Sequence, residues 1–116
     1  MRHGNRTKKF GRKRTVRIAL MRSLARSLLL HGKIETTEAR AKALRPFAER
    51  LIARAQNDSL AARRLAARRL GSPAAARILF TAVGGKYATR HGGYTRVVKT
   101  GFRRSDGART AHLELV

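Results

Sequence analysis

The chain has 116 residues, with 28 Lys and Arg against 6 Asp and Glu and a formal net charge of +22. This length allows one core that buries roughly two thirds of the unfolded surface, and 42% hydrophobic residues indicate a folded domain rather than a disordered polycation. The lack of cysteine excludes disulfides, thiolate zinc sites and thiol nucleophiles. No apolar run has the length of a signal peptide or a membrane span, so we expect a cytoplasmic protein.

The N-terminal segment is a cationic arm. Eleven Lys or Arg residues and no acid lie between Arg2 and Lys33, and Phe10 is the one large apolar side chain of residues 2–13. So little apolar surface cannot offset the entropy of ordering the backbone. We therefore expect a basic arm over residues 1–13, disordered without RNA, followed by a single domain over residues 14–116.

The segment after the arm predicts a helix from near Thr15 to Gly32, where a glycine can end it in the left-handed conformation. Its inward side is formed by four residues at helical spacing, Leu20, Met21, Leu24 and Leu28. Arg22 and Arg26 flank that side. The helix is thus apolar inward and cationic outward.

A short strand and a second helix follow. Residues 33–36 alternate and are rich in β-branched residues, which favours a strand, and Thr36 or Thr37 then caps the helix. The helix has the clearest apolar periodicity of the chain, through Leu44, Phe47, Ala48, Leu51, Ile52 and Ala55. Pro46 within it predicts a kink or two abutting segments.

Two further helices are expected before residue 86. Residues 57–59 end the second helix and cap a third, whose LAARR repeat gives a thin apolar seam that should pack shallowly at the surface. Gly71 then ends the third helix, Ser72 caps a fourth, and Pro73 takes its first position. The inward side of this fourth helix is predicted to be Ile78, Leu79, Ala82 and Val83, and Gly84-Gly85 is expected to end it.

The C-terminal part is predicted to form a β-hairpin. Residues 94–102 are rich in Thr, Val and aromatics, residues 111–115 alternate strictly, and the Asp106-Gly107 turn signal lies between them. Joined by the strand near Ile34, this hairpin makes a three-stranded sheet covered by helices. We therefore predict an α+β fold, a two-layer α/β domain in the order α-β-α-α-α-β-β with a basic N-terminal extension.

Several motifs in order carry a family resemblance: MRH at the start, Gly11-Arg12, Arg22 with Leu24, Ser27-Leu28, His31-Gly32, residues 34–37 (IETT), Ala41-Lys42, residues 44–46 (LRP), Glu49 with Leu51-Ile52, and residues 93–96 (GYTR). Over nearly its whole length the chain resembles the bacterial large-subunit ribosomal protein seventeen family. The resemblance implies a two-layer α/β domain and a structural role in the large subunit, in contact with its long rRNA near the peptide exit region. The chain departs from the family pattern at Val16, usually His, and Ser23, usually Asn.

Cations in such excess call for a polyanion, and we expect most contacts to go to phosphate, with specificity from RNA shape. The candidate RNA-binding residues lie in the arm, the first helix and the C-terminal hairpin: Arg2, His3, Arg6, Lys8, Lys9, Arg12, Lys13, Arg14, Arg17, Arg22, Arg26, Lys33, Arg90, Tyr94, Arg96, Lys99, Arg103 and Arg104. Tyr87, Tyr94 and Phe102 are available to stack on a base, although packing on the sheet is the commoner fate of such rings. The arginines at 63, 64, 68 and 69 suit either a solvated helix face or RNA contact.

No catalytic or metal-binding pattern is present. The four histidines are scattered, the six acids are dispersed, and the Gly-Lys at 85–86 lacks the remainder of a phosphate-binding loop. We expect no enzyme, no cofactor, no metal and no small-molecule substrate. The expected partners are large-subunit rRNA and neighbouring large-subunit ribosomal proteins.

Two other functions fit the composition less well. A nucleoid-type or RNA-chaperone protein would bind nucleic acid without a fixed site. A membrane-active cationic amphipath is suggested by the first helix, but its apolar side lacks the Trp and Phe typical of interfacial anchoring.

Overall fold

The structure is a computed structural model that describes residues 3–4 and 8–116. Its elements are α1 (Arg14–His31), β1 (Lys33–Thr37), α2 (Glu38–Ala55), α3 (Leu60–Leu70), α4 (Pro73–Ile78), β2 (Thr95–Phe102) and β3 (Arg109–Leu115). After α4 the chain continues through a π-helical turn (Leu79–Val83) and a last α-helical turn (Gly84–Lys86). The predicted α+β class and element order are confirmed.

The helix ends lie where short polar side chains and glycines place them. Thr37, Ser59 and Ser72 each occupy an N-cap and accept a hydrogen bond from the backbone N–H three residues further on. Gly32 ends α1 at φ 76° and donates its N–H to the Leu28 carbonyl at 2.7 Å. These local signals were read correctly from the sequence.

The three strands form one antiparallel sheet in the order β1-β3-β2. Ile34 and Val97 are both opposite Leu113, so the three apolar side chains point to the same face. A register shift between Lys99 and Gly101 bends β2 near the hairpin tip. The central strand, β3, therefore fixes the register of the whole sheet.

Helix α2 covers the inner face of the sheet and forms the middle of the core. Leu44 and Ile52 of α2 and Leu113 of β3 are fully buried. The helices α1 and α3 and the π-helical turn after α4 pack around this layer and contribute Leu28, Leu70 and Leu79, which are also fully buried. Burial of aliphatic side chains contributed by every helix and the central strand gives the domain a single core.

Two expectations about the helices are corrected. Helix α2 is one continuous helix through Pro46, so the alternative of two abutting segments is wrong. The last helix does not end at Gly84-Gly85, and its inward side includes Phe80 in place of Ala82. The π-helical turn accounts for the change, because an i to i+5 turn rotates the following residues relative to α-helical spacing.

The shallow packing predicted for α3 holds only at the start of the helix, because its C-terminal half enters the core. Leu60 is 64% exposed, while Ala66 and Leu70 near the other end are buried. In the part of the chain that the structure describes, no helix has the length and hydrophobicity to span a bilayer.

Candidate nucleic-acid interface

The described end of the arm makes a tight turn before α1. The Arg12 N–H donates to the Lys9 carbonyl at 3.1 Å, and the Arg12 guanidinium donates to the Phe10 carbonyl at 2.8 Å. Phe10 and Gly11, the central residues of the turn, have φ of 54° and 64°, the sign pattern of a type I′ turn. A positive φ is uncommon for a phenylalanine. The turn brings the Phe10 side chain back onto the domain.

Phe10 lies at an open groove of about 850 Å³ bounded by the arm, α1, α2 and the base of β3. The groove has an apolar part, formed by Phe10, Met21, Ala43, Pro46 and Phe47. It also has a cationic part, formed by Lys8, Arg17, Lys42, Arg50 and Arg109. Segments that are far apart in the sequence therefore share one concave surface.

One acid, Glu38, lines this groove among the described residues, and it is already paired. Lys42 lies 2.7 Å from its carboxylate and Lys99 lies 3.8 Å away. The hydrogen bond from Lys42 is the main cause that holds the pKa of Glu38 below its ordinary value. The ionised carboxylate neutralises one of the five cations that line the groove, so the groove keeps a positive excess.

Five of the six acids of the chain form ion pairs within the fold, and the sixth, Glu35, lies 3.4 Å from His112. The five pairs are Glu38 with Lys42, Glu49 with Arg45, Asp58 with Arg63, Asp106 with Arg103, and Glu114 with Arg96. None of the described cations from Lys8 to Lys33 has an acid within 4.0 Å. The arm and α1 thus carry positive charge that no nearby acid compensates, and so do described cations elsewhere, among them Arg64, Arg68 and Arg69 on α3.

The predicted cations of α1 fall into two groups. Arg14 is exposed and Arg17 lines the groove. Arg22 and Arg26 are partly buried beside the end of α3, and Arg26 donates to the Leu70 carbonyl at 2.9 Å. Arg26 therefore has a role inside the fold in addition to its charge.

The hairpin cations are mostly held by carboxylates. Arg103 binds Asp106 through two nitrogens at 2.9 and 2.5 Å, and Arg96 binds Glu114 at 2.6 Å. The bond from Arg103, helped by the Ala108 N–H, lowers the pKa of Asp106 to about 2. Arg104 is exposed at the same tip. The carboxylates fix the directions of two guanidinium groups before any partner arrives.

The position of Tyr94 does not support its assignment as an RNA contact. Its ring is 4% exposed and packs edge to face against Tyr87, with 5.4 Å between ring centroids. Its hydroxyl accepts from Gln56 at 2.8 Å and donates to the Arg90 carbonyl at 3.1 Å. A base cannot stack on a ring whose faces are covered by protein. Phe102 at the hairpin, in contrast, is 71% exposed.

The remaining predicted residues are spread over the surface. His3, Lys8, Lys9, Arg12, Lys13, Lys33 and Arg90 are exposed, whereas Arg2 and Arg6 lie outside the described residues. The structure adds Lys42, Arg50 and Arg109, which the sequence reasoning missed. A signal was present for two of them, because Lys42, Pro46 and Arg50 follow each other at i, i+4 and i+8 on α2 and so share one face.

The described residues define a small basic α+β domain in which five of the six acids are paired with cations of the chain itself. No cluster of three or more potential metal ligands occurs within the described parts. A family model described as "Ribosomal protein L17" matches residues 20–116. The chain is 50% identical to the large ribosomal subunit protein bL17 of Gemmatimonas aurantiaca, with 100% of this chain and 98% of that protein covered. It is 50% identical to the bL17 of a Hydrogenobaculum species, covering 100% and 99%, and 49% identical to that of Methylacidiphilum infernorum, covering 98% and 87%.

The chain belongs to the ribosomal protein L17 family. This confirms the resemblance read from its motifs, and with it a structural rather than enzymatic role in the ribosome.

Proposed function

We propose that this chain is a structural constituent of the large ribosomal subunit that clamps rRNA phosphates with its arm, α1 and the C-terminal hairpin. The relatives that match it end to end are named as proteins of the large ribosomal subunit. The observation that carries the mechanism is the run of cations from Lys8 to Lys33 without a single acid partner among the described residues. Such charge repels itself unless a polyanion neutralises it.

In this proposal the cations without an acid partner and the cations paired with carboxylates have different roles. The free cations of the arm and α1 supply affinity, because each phosphate they neutralise releases condensed counterions from the RNA. Arg96 and Arg103 are pre-oriented by their carboxylates and position the hairpin. We propose that RNA binding orders residues 1–13 and holds the turn of residues 9–12 in the position described, whereas residues 14–116 are folded beforehand. RNA shape and unpaired regions supply specificity.

In this proposal the partners are large-subunit rRNA and neighbouring large-subunit ribosomal proteins, and the protein resides in the large ribosomal subunit in the cytoplasm. A nucleoid-type or RNA-chaperone protein would share the charge but not the fixed stoichiometry. Sedimentation of a cell lysate distinguishes the two. We expect the chain to travel with large subunits in equimolar amount, and its spread through the gradient would contradict the proposal.

The salt dependence of binding tests the phosphate clamp. If six to ten phosphates are neutralised, filter binding to large-subunit rRNA should weaken by about 10³ to 10⁵ between roughly 50 and 200 mM salt. A flat response would show that charge is not the source of affinity.

Deletion of residues 1–13 tests the arm. We expect weaker incorporation into the large subunit with an unchanged helical circular dichroism spectrum. A matched variant keeps the arm's length and replaces its six Lys and Arg residues by Gln, which separates loss of charge from loss of chain. A second variant, with Gln at positions 63, 64, 68 and 69, tests whether the α3 arginines also contact RNA. Normal incorporation of both arm variants would refute the role of the arm.

A further inference from the structure

We infer that the groove between the arm turn, α1 and α2 is a pocket for one unpaired nucleotide of the bound RNA. This inference rests on the proposed function and makes it more specific. The groove, at about 850 Å³, is large enough for a small organic ligand. It combines three features that suit a nucleotide: an apolar and aromatic wall, a backbone carbonyl that lacks its α-helical donor, and cations at the edge.

The apolar wall suits a planar base. Phe10 from the arm and Phe47 from α2 both line the groove, and Pro46 lies beside Phe47 on the same helix. Phe10 is half-buried, so part of its ring remains accessible. Unstacked bases of RNA are bound by stacking on such aromatic side chains, a contact that tolerates any base.

Pro46 removes one helical hydrogen bond beside the groove. A proline has no N–H, so the carbonyl of Lys42 lacks the donor that α-helical geometry would provide four residues later. Lys42 and Pro46 both line the groove. An exocyclic amino group of a base, or a ribose 2′-hydroxyl, is a donor of the kind this carbonyl lacks.

The charges favour a nucleotide over other occupants. Arg17, Arg50 and Arg109 come from three different elements, and the groove's acid, Glu38, is neutralised by Lys42. An anion is therefore favoured and a basic or neutral peptide is not. An acidic peptide would also satisfy the cations, but a base matches the aromatic wall of Phe10 and Phe47 better than a carboxylate does, since a base is planar and can stack.

Binding of purified large-subunit rRNA by full-length variants tests the pocket. Phe10→Ala removes one of the two aromatic rings of the wall, and Ala43→Leu fills part of the groove. Both should weaken binding by about 5- to 100-fold, the range for loss of one stacked base. The decrease should be equal at every salt concentration, because a stacking contact releases no counterions. Phe10→Tyr keeps the ring and should bind as the original chain does.

Leu30→Ala is the matched control. Leu30 is 63% exposed and lies outside the groove, so its truncation should leave binding unchanged. If Ala43→Leu alters the circular dichroism spectrum, that variant is misfolded and is set aside. The comparison of Phe10→Ala with Phe10→Tyr then decides whether the groove binds a nucleotide. Unchanged affinity in Phe10→Ala overturns the pocket while leaving the phosphate clamp intact, provided that the original chain still shows steep salt dependence. If the unsubstituted chain does not bind the RNA at all, both the pocket and the phosphate clamp are overturned.

Ultraviolet cross-linking of assembled large subunits identifies the occupant directly. We expect a nucleotide adduct on the peptide that holds Phe10 or Phe47. An adduct in which these peptides are joined to an acidic segment of another protein would replace the nucleotide by a peptide and overturn the inference.

Discussion

The guanidinium of Arg26 on α1 donates a hydrogen bond to the Leu70 carbonyl at the end of α3, over 2.9 Å. The last carbonyls of a helix have no partner within the helix, and a cation at this end also complements the helix dipole. An arginine of α1 thus stabilises a contact between two helices. Positive charge in this protein is used for folding as well as for binding.

Arg26→Ala should lower the free energy of unfolding by about 1 to 2 kcal/mol, because the Leu70 carbonyl loses a charged donor. Urea unfolding followed by circular dichroism measures this. Arg14→Ala is the control, since Arg14 is exposed on the same helix and its loss removes the same charge. Equal effects of the two substitutions would show that only net charge matters.

Gln56 holds the loop before β2 through its side-chain amide, which lies 2.7 Å from the Tyr87 carbonyl, 2.6 Å from the Arg90 carbonyl and 2.8 Å from the Tyr94 hydroxyl. Gln56→Glu keeps the shape but replaces the donors by a carboxylate facing two carbonyl oxygens. We expect a loss of stability of about 2 kcal/mol and faster hydrogen exchange in residues 87–94. Unchanged exchange there would show that the loop is held by other contacts.

The hairpin tip should resist acid. The bonds from Arg103 and the Ala108 N–H lower the pKa of Asp106 from 3.8 to about 2. Because the folded pKa is the lower one, the pair stabilises the tip above pH 3.8, and this stabilisation is lost as the pH falls toward 2. The carboxyl ¹³C shift of Asp106 should titrate near 2, and Arg103→Gln should move the midpoint toward 3.8. An unchanged midpoint in the variant would exclude Arg103 as the cause.

Two adjacent glycines should respond oppositely to alanine. A Cβ on Gly84 would lie 3.2 Å from the Leu79 carbonyl and 3.3 Å from the Cβ of Ala55, so Gly84→Ala should cost about 1 to 3 kcal/mol. A Cβ on Gly85 meets nothing within 4 Å, and Gly85→Ala should stabilise the helix by up to about 1 kcal/mol. Thermal unfolding of both variants tests this, and destabilisation by Gly85→Ala would contradict the packing described.

Much of the fold could be predicted because its signals are local. The caps at Thr37, Ser59 and Ser72 and the glycine at 32 act within one turn, so neighbouring residues suffice to place them. The strict alternation of residues 111–115 was likewise enough to predict a strand there. The continuous helix through Pro46 and the π-helical turn were not predictable, because tertiary packing decides whether the helix tolerates either irregularity.

The candidate site divides in the same way. The sequence by itself determined the family, the element order and the cationic arm, because short-range spacing and charge composition carry them. Only the tertiary structure decided which cations remain free, that Tyr94 is buried, and that Phe10, Phe47 and Arg109 line one groove. These facts depend on contacts between residues far apart in the chain, which the closing of the sheet and the packing of α1 against α2 create.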